Sequence, residues 1–224
     1  MSLFQDILKL WRSDDLLAQA WSESYEMLNL SREFFIQSVN MLRKQTKEKT
    51  LIALKKRDKE INEFHRDIRR KVMTHLVMQN DKTDIPNGLV LINMVVDIER
   101  VGDYCKNILD LAISTPKTLK VEKVSEDLKM IEDEVLSRFD QTMEAIHSQD
   151  SEVAKELIAT HRKLVAKTSD KLVDQIIKGK VTYDSESKAA AVAIYARYLK
   201  RIGSHLTNIM TTLVNPFESI GYTK

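Results

Sequence analysis

Glu99 and Asp103 lie four residues apart in the run MVVDIERVGDYCKNILDLA, so on a helix their carboxylates share one face. Two carboxylates held this close repel each other. A hard divalent or trivalent cation relieves the repulsion by taking their oxygens. Asp58, Asn62 and His65 follow i, i+4, i+7 spacing and fall on the same helical stripe as Leu51, Leu54, Ile61, Val72 and Leu76. That stripe is expected to face a bundle interior. A second helix bringing Glu99 and Asp103 to it would add carboxylate beside Asp58. Such a cluster needs protons, a basic partner or a metal. Arg66, Arg69 and Arg100 could supply the basic partner. Equally, Arg100 and Lys106 could neutralise Glu99 and Asp103 as an ordinary solvated face. Residue chemistry alone leaves these alternatives open.

Other candidates carry less. His65 by itself reads as a hydrogen-bonded core histidine, and His75, His147, His161 and His205 form no ligand spacing with it. Trp11 and Trp21 read as packing anchors. Cys105 falls on an apolar helix face and reads as a small core residue, and a single cysteine forms no internal disulfide. Carboxylate-bridged metal bundles use paired Glu-x-x-His segments. Here Glu144-Ala145-Ile146-His147 is a lone copy near a helix end. No nucleophile elbow, phosphate loop, zinc-protease or dinucleotide motif is present, so no catalytic residue is assigned and the chain reads as no enzyme.

The elements that must position these residues are helices. Ala20, Trp21, Met27, Leu28, Phe34, Phe35, Val39 and Leu42 recur at helical spacing, predicting one helix over about 15–46. A short amphipathic turn, Leu3–Trp11, precedes it. A second helix spans the stripe from Leu51 to about Gln79. Asp81–Gly88 (DKTDIPNG) reads as a turn, and a third helix runs from Leu89 to about Ala112, ended by Pro116. Three more helices are expected at about Ser125–His147, Asp150–Lys178 and Ser185–Val214, with Gly179 and Pro216 as stops. Residues 99–108 (ERVGDYCKNI) align with 200–209 (KRIGSHLTNI), so Arg100, Gly102, Asn107 and Ile108 recur as Arg201, Gly203, Asn208 and Ile209. Glycine inside a helix costs roughly 1 kcal/mol relative to alanine. Its recurrence at one place in both halves predicts a close helix approach there. The fold class expected is all-α, two tandem three-helix bundles of six long antiparallel helices. The parts are an N-terminal segment over 1–13, a first repeat over 14–116 and a second over 117–224.

Composition agrees. Three prolines and five glycines in 224 residues nearly exclude an all-β fold. The charge balance, 35 basic against 33 acidic residues, gives no global field for nucleic acid. No apolar run is long enough to span a bilayer, and the N-terminus lacks a signal-peptide core, so the expected location is the cytoplasm.

The helix MVVDIERVGDYCKNILDLA and the duplication together resemble the PhoU-type phosphate-uptake regulators, over about residues 14–214. The resemblance implies metal ligation by carboxylate pairs on the third helix working with the second. Carried over, the candidate metal ligands are Asp58, Asn62, Glu99 and Asp103, for Fe, Zn, Mn or Mg in the first repeat. Asn62 departs from the acidic pattern. In the second repeat Lys200 and Ser204 stand where Glu99 and Asp103 stand in the first. The second-helix alignment there is ambiguous, setting His161 and Val165 against Asp58 and Asn62, or His161-Arg162 against His65-Arg66. Neither restores an acidic cluster, so no metal is expected there, or a weakly held anion near Lys200 and Arg201. The resemblance further implies a non-enzymatic regulator of phosphate uptake, peripheral to the inner membrane face. Its partners would be a membrane phosphate transporter, a phosphate-sensing histidine kinase, or both. A metal-dependent enzyme or storage bundle, and an accessory subunit of a sodium- or inorganic-phosphate transporter, are the alternatives. A homodimer is expected, because long amphipathic helices often expose a second apolar edge.

Overall fold

In a computed structural model of the chain, the described residues are 15–44, 46–78, 82–115, 119, 122–148, 151–181 and 183–222, with backbone alone described at 122–125, 151 and 161–163. The expected segment Leu3–Trp11, the terminator Pro116 and the capping residue Asp150 lie outside them.

Among the described residues the fold is all-α, with no strand. The first repeat comprises α1 (Leu16–Arg43), α2 (Glu48–Lys55), α3 (Asp58–Met78) and α4 (Ile85–Ser114). The second comprises α5 (Glu122–Ser148), α6 (Ser151–His161), α7 (Lys167–Ile177) and α8 (Glu186–Val214). Each repeat is thus three antiparallel arms, and in each the middle arm is broken. In the first, the amides of Lys56, Arg57, Lys59 and Glu60 bond three residues back, a tight turn between α2 and α3. In the second, a π-helical stretch, Arg162–Ala166, joins α6 to α7. The single continuous helices expected over these arms are therefore each two.

Local chemistry sets the ends. Asp15 caps α1 by accepting from the Ala18 amide at 2.8 Å, and Ser185 caps α8 by accepting from Lys188 at 3.2 Å. Gly179 closes α7 at φ +64°, a backbone conformation that favours glycine. The turn expected over 81–88 is shorter than its residues suggested. A 3₁₀ turn covers Lys82–Asp84, and α4 begins at Ile85, absorbing Pro86 and Gly88. Proline costs nothing in a first helical turn, where its missing N–H has no intrahelical partner. Gly88 packs under α3: a Cβ there would stand 3.0 Å from Val72 and 3.1 Å from Leu76.

The centre of the molecule is the seam where α4 packs along α8, flanked by α1 on one side and α5 to α7 on the other. One continuous apolar core runs through both repeats, anchored by Trp21, Phe34, Phe35, Phe139 and Tyr195. Cys105 is fully buried in it, and burial pushes its thiol well above the ordinary range. Three serines at heptad spacing on α1, Ser24, Ser31 and Ser38, are buried and return their hydroxyls to carbonyls of their own helix.

The duplication is visible at the central seam. Asp97 of α4 accepts from His205 Nδ1 of α8 at 2.7 Å, and the rings of Tyr104 and Tyr198 lie 5.8 Å apart. An offset of 101 relates Asp97 to Tyr198 and Tyr104 to His205. The two contacts are one contact, made once from each copy.

Candidate functional site on the α3–α4 seam of the first repeat

Asp58 is the first residue of α3, where a carboxylate also meets the positive end of the helix dipole. Asn62 sits one turn on. Glu99 and Asp103 occupy successive turns of the antiparallel α4. What brings them together is Gly102. A Cβ at Gly102 would stand 2.8 Å from Ile61 Cδ1 and 3.2 Å from Ile61 Cγ2, so only glycine lets α4 approach α3 this closely. The predicted close approach is therefore found in the first repeat, and Gly203 is likewise buried in the second.

All four candidate ligands share this seam, and a lysine sits among them. Lys106 Nζ lies 3.0 Å from Asp58 Oδ2 and 3.4 Å from Asp103 Oδ1. Asn62 donates its amide to the same Asp58 Oδ2 at 3.1 Å. Arg100 donates to Asp103 Oδ2 at 3.1 Å and lies 3.6 Å from Glu99 Oε2. Burial alone would push Lys106 down. Its hydrogen bond to Asp58 and the charges of Asp58 and Asp103 outweigh that and hold the ammonium above the ordinary lysine range. Burial and neighbouring Asp103 push Glu99 above the ordinary carboxylate range.

The donor set, as arranged, does not fit a resident metal. A ligating aspartate offers free oxygen lone pairs, whereas Asp58 Oδ2 already accepts from Lys106 and Asn62. Asn62 turns its NH₂, a donor, toward that oxygen. Among the described residues, no three histidine, cysteine or acidic side chains converge in a way that could hold a metal ion.

The remaining candidates disperse. His65 is half-buried, and its Nε2 is buried with no hydrogen-bond partner among the described residues. It is thus not the hydrogen-bonded core histidine its stripe position suggested. Burial first, then Arg69, Arg100 and Arg66, lower its pKa. His75 pairs with Asp84 at 2.7 Å and pins the turn before α4. Trp21 is a core anchor, as expected. In the second repeat Lys200 Nζ lies 2.6 Å from Asp170 Oδ2 on α7, and Arg197 lies 2.9 Å from Asp170 Oδ1. Arg201 donates to the Tyr104 hydroxyl at 3.2 Å.

Three polar networks escaped sequence reading. Arg43 of α1 donates to Glu132 of α5 at 2.6 Å and to the Leu119 carbonyl at 2.7 Å, and the buried Tyr195 hydroxyl of α8 meets the same glutamate. Arg138 is 1% exposed, donating to the Leu157 carbonyl at 2.7 Å and to Thr160 at 3.0 Å, beside Glu134 at 3.0 Å. Asp97 gathers both His205 and Asn208. Apart from the i,i+4 pair Glu134–Arg138, the groups that meet in each network come from separate helices or distant turns of the chain, and Asn208 is marked in the sequence only as the repeat of Asn107.

A tandem PhoU domain is matched at residues 25–112 and 128–213. The chain belongs to the PhoU domain family. The two matches fall on α1 to α4 and on α5 to α8. Among solved structures the fold is similar to PhoU from Pseudomonas aeruginosa, with a TM-score of 0.77 at 19% identity, covering 89% of this chain and 95% of that one. No curated protein matches the chain. Membership of the PhoU family supports a general role in phosphate regulation. No helix among the described residues is long and apolar enough to cross a membrane.

Proposed function

We propose that this chain regulates phosphate uptake without itself catalysing a reaction. It binds a membrane phosphate transporter, a phosphate-sensing histidine kinase, or both, at the inner membrane face, as a cytoplasmic homodimer. The observation that supports this reading most strongly is the pair of PhoU domain matches spread over both repeats. The polar side chains of the α3–α4 seam are committed to one another, which suits a scaffold better than a reaction centre.

Affinity capture of the full chain from membranes, with bound proteins identified by mass spectrometry, tests the proposal. A phosphate transporter or its sensor kinase should be recovered, and loss of the chain should change phosphate uptake in intact cells. Recovery of neither protein, with uptake unchanged, refutes it. Recovery of a sodium- or inorganic-phosphate transporter alone would assign the chain as that transporter's accessory subunit. Sedimentation of the purified chain tests the dimer.

A further inference from the structure

In each repeat a lysine on the third arm reaches an aspartate on the middle arm. In the first, Lys106 of α4 meets Asp58 of α3 at 3.0 Å, with Asp103 completing the group. In the second, Lys200 of α8 meets Asp170 of α7 at 2.6 Å, assisted by Arg197. The two lysines are not equivalent by position. Lys200 aligns with Glu99, whereas Lys106 aligns with Thr207. The charges have been rearranged, yet each seam still joins a third-arm cation to a middle-arm carboxylate.

We propose that Lys106 and Lys200 act as built-in cations that take the place of bound metal at the two seams, so that this PhoU-family chain folds and works with no resident metal ion. Asp58 is nearly buried, with its side chain 13% exposed, and a carboxylate there must be compensated. A tethered ammonium compensates it with no dependence on metal supply. It also repels an incoming cation from the oxygens that cation would need, because Asp58 Oδ2 and Asp103 Oδ1 both face Lys106 Nζ. Metal and lysine are therefore competitors at the first seam. At the second, Lys200 replaces a ligand outright. The inference holds whether or not the chain regulates phosphate uptake, and it fails separately from that reading.

The test uses the full chain purified without added metal. Elemental analysis should find no Fe, Zn or Mn in stoichiometric amount. Thermal unfolding should be the same with EDTA and with added MgCl₂, MnCl₂ or ZnCl₂. Lys106→Met keeps the unbranched apolar stem, one atom shorter, and removes the charge. This variant should be less stable than wild type in EDTA and should gain a Tm rise with MnCl₂ or ZnCl₂ that grows with metal concentration. In Asp58→Asn/Lys106→Met, which removes both charges, that metal-dependent rise should disappear. A metal bound stoichiometrically by wild type, or a wild-type Tm lowered by EDTA, overturns the proposal. A Lys106→Met protein indifferent to metal overturns the competition on which it rests. The wild-type measurements need no variant and decide by themselves.

Discussion

Gly102→Ala puts the packing of the α3–α4 seam to a direct test, because two effects of opposite sign meet there. Alanine is the better helix former, worth roughly 1 kcal/mol over glycine in a helix interior. Against it stands Ile61, whose Cδ1 would lie 2.8 Å and Cγ2 3.2 Å from the new methyl. Both distances are below ordinary van der Waals contact. Ile61 is 0% exposed, so its displaced methyls cannot move out into solvent. Its β-branch also fixes Cγ2 through a stiff χ1, leaving only Cδ1 free to swing. Over-packing of this kind costs about 1–3 kcal/mol. The net expectation is a loss of about 1 kcal/mol, seen as a fall in Tm of roughly 2–4 °C for a chain of this size.

The partner change isolates the cause. Ile61→Val removes Cδ1, the nearer of the two methyls, and alone should cost about 1 kcal/mol. In the double variant the closest clash is gone. Its loss should fall short of the sum of the single losses by an amount outside the few tenths of a kcal/mol that independent sites show. Urea unfolding of the four proteins measures the cycle. Two losses that add would mean that the glycine is not what sets the helix spacing.

Other expectations follow from the buried networks. Arg138→Met leaves the Leu157 carbonyl and Glu134 without their partner and should cost about 2–3 kcal/mol in urea unfolding. Arg138→Lys should recover only part of this, having no planar fork to reach both the carbonyl and Thr160. Tyr195→Phe removes the hydroxyl from Glu132 while leaving the Arg43 pair in place, and should cost about 1.5–3 kcal/mol without loss of helical circular dichroism. His65 should titrate by NMR below its ordinary 6.5, since burial and three arginines disfavour its charge. The unfolded chain then binds the proton more readily, so this residue's contribution to stability is complete above 6.5 and lost as pH falls through the folded value. In His65→Gln that part of the acid sensitivity should vanish.

The helical plan was legible because it is periodic. Apolar residues recurring at helical spacing located all six arms, and the match of 99–108 to 200–209 exposed the duplication. The breaks inside the middle arms were not legible. Lys56 and Arg57 carry no helix-breaking signal, and the π-helical stretch Arg162–Ala166 contains neither glycine nor proline. At the seam, spacing along each helix placed Asp58 and Asn62 on one face and Glu99 and Asp103 on another, and the structure joins the faces. Which cation answers them depends on which of four nearby basic side chains points inward, and spacing does not determine that. Arg66 and Arg69 lie on the exposed face of α3, while Lys106 alone reaches both Asp58 and Asp103.

The central seam shows how duplication relaxes the constraint on individual residues. The contact Asp97–His205 and its counterpart Tyr198–Tyr104 occupy matched positions, yet one is a polar pair and the other an aromatic pair. Each satisfies the requirement that a half-buried polar or aromatic group find a partner across the seam. Neither needs to resemble the other, because the seam is built from two different copies in one chain. The same freedom applies at the α3–α4 and α7–α8 seams, where each copy joins a third-arm lysine to a middle-arm aspartate from positions that do not match. Lys200 stands where the first copy has Glu99 and faces Asp170, whereas Lys106 faces Asp58 from a position occupied by Thr207 in the second copy. Helix spacing, by contrast, has no such alternative solution at the first seam, where Ile61 fills the space a Gly102 side chain would need. The three-arm plan is thus common to the two copies, while the way each middle arm is broken and the side-chain chemistry laid over the plan differ between them.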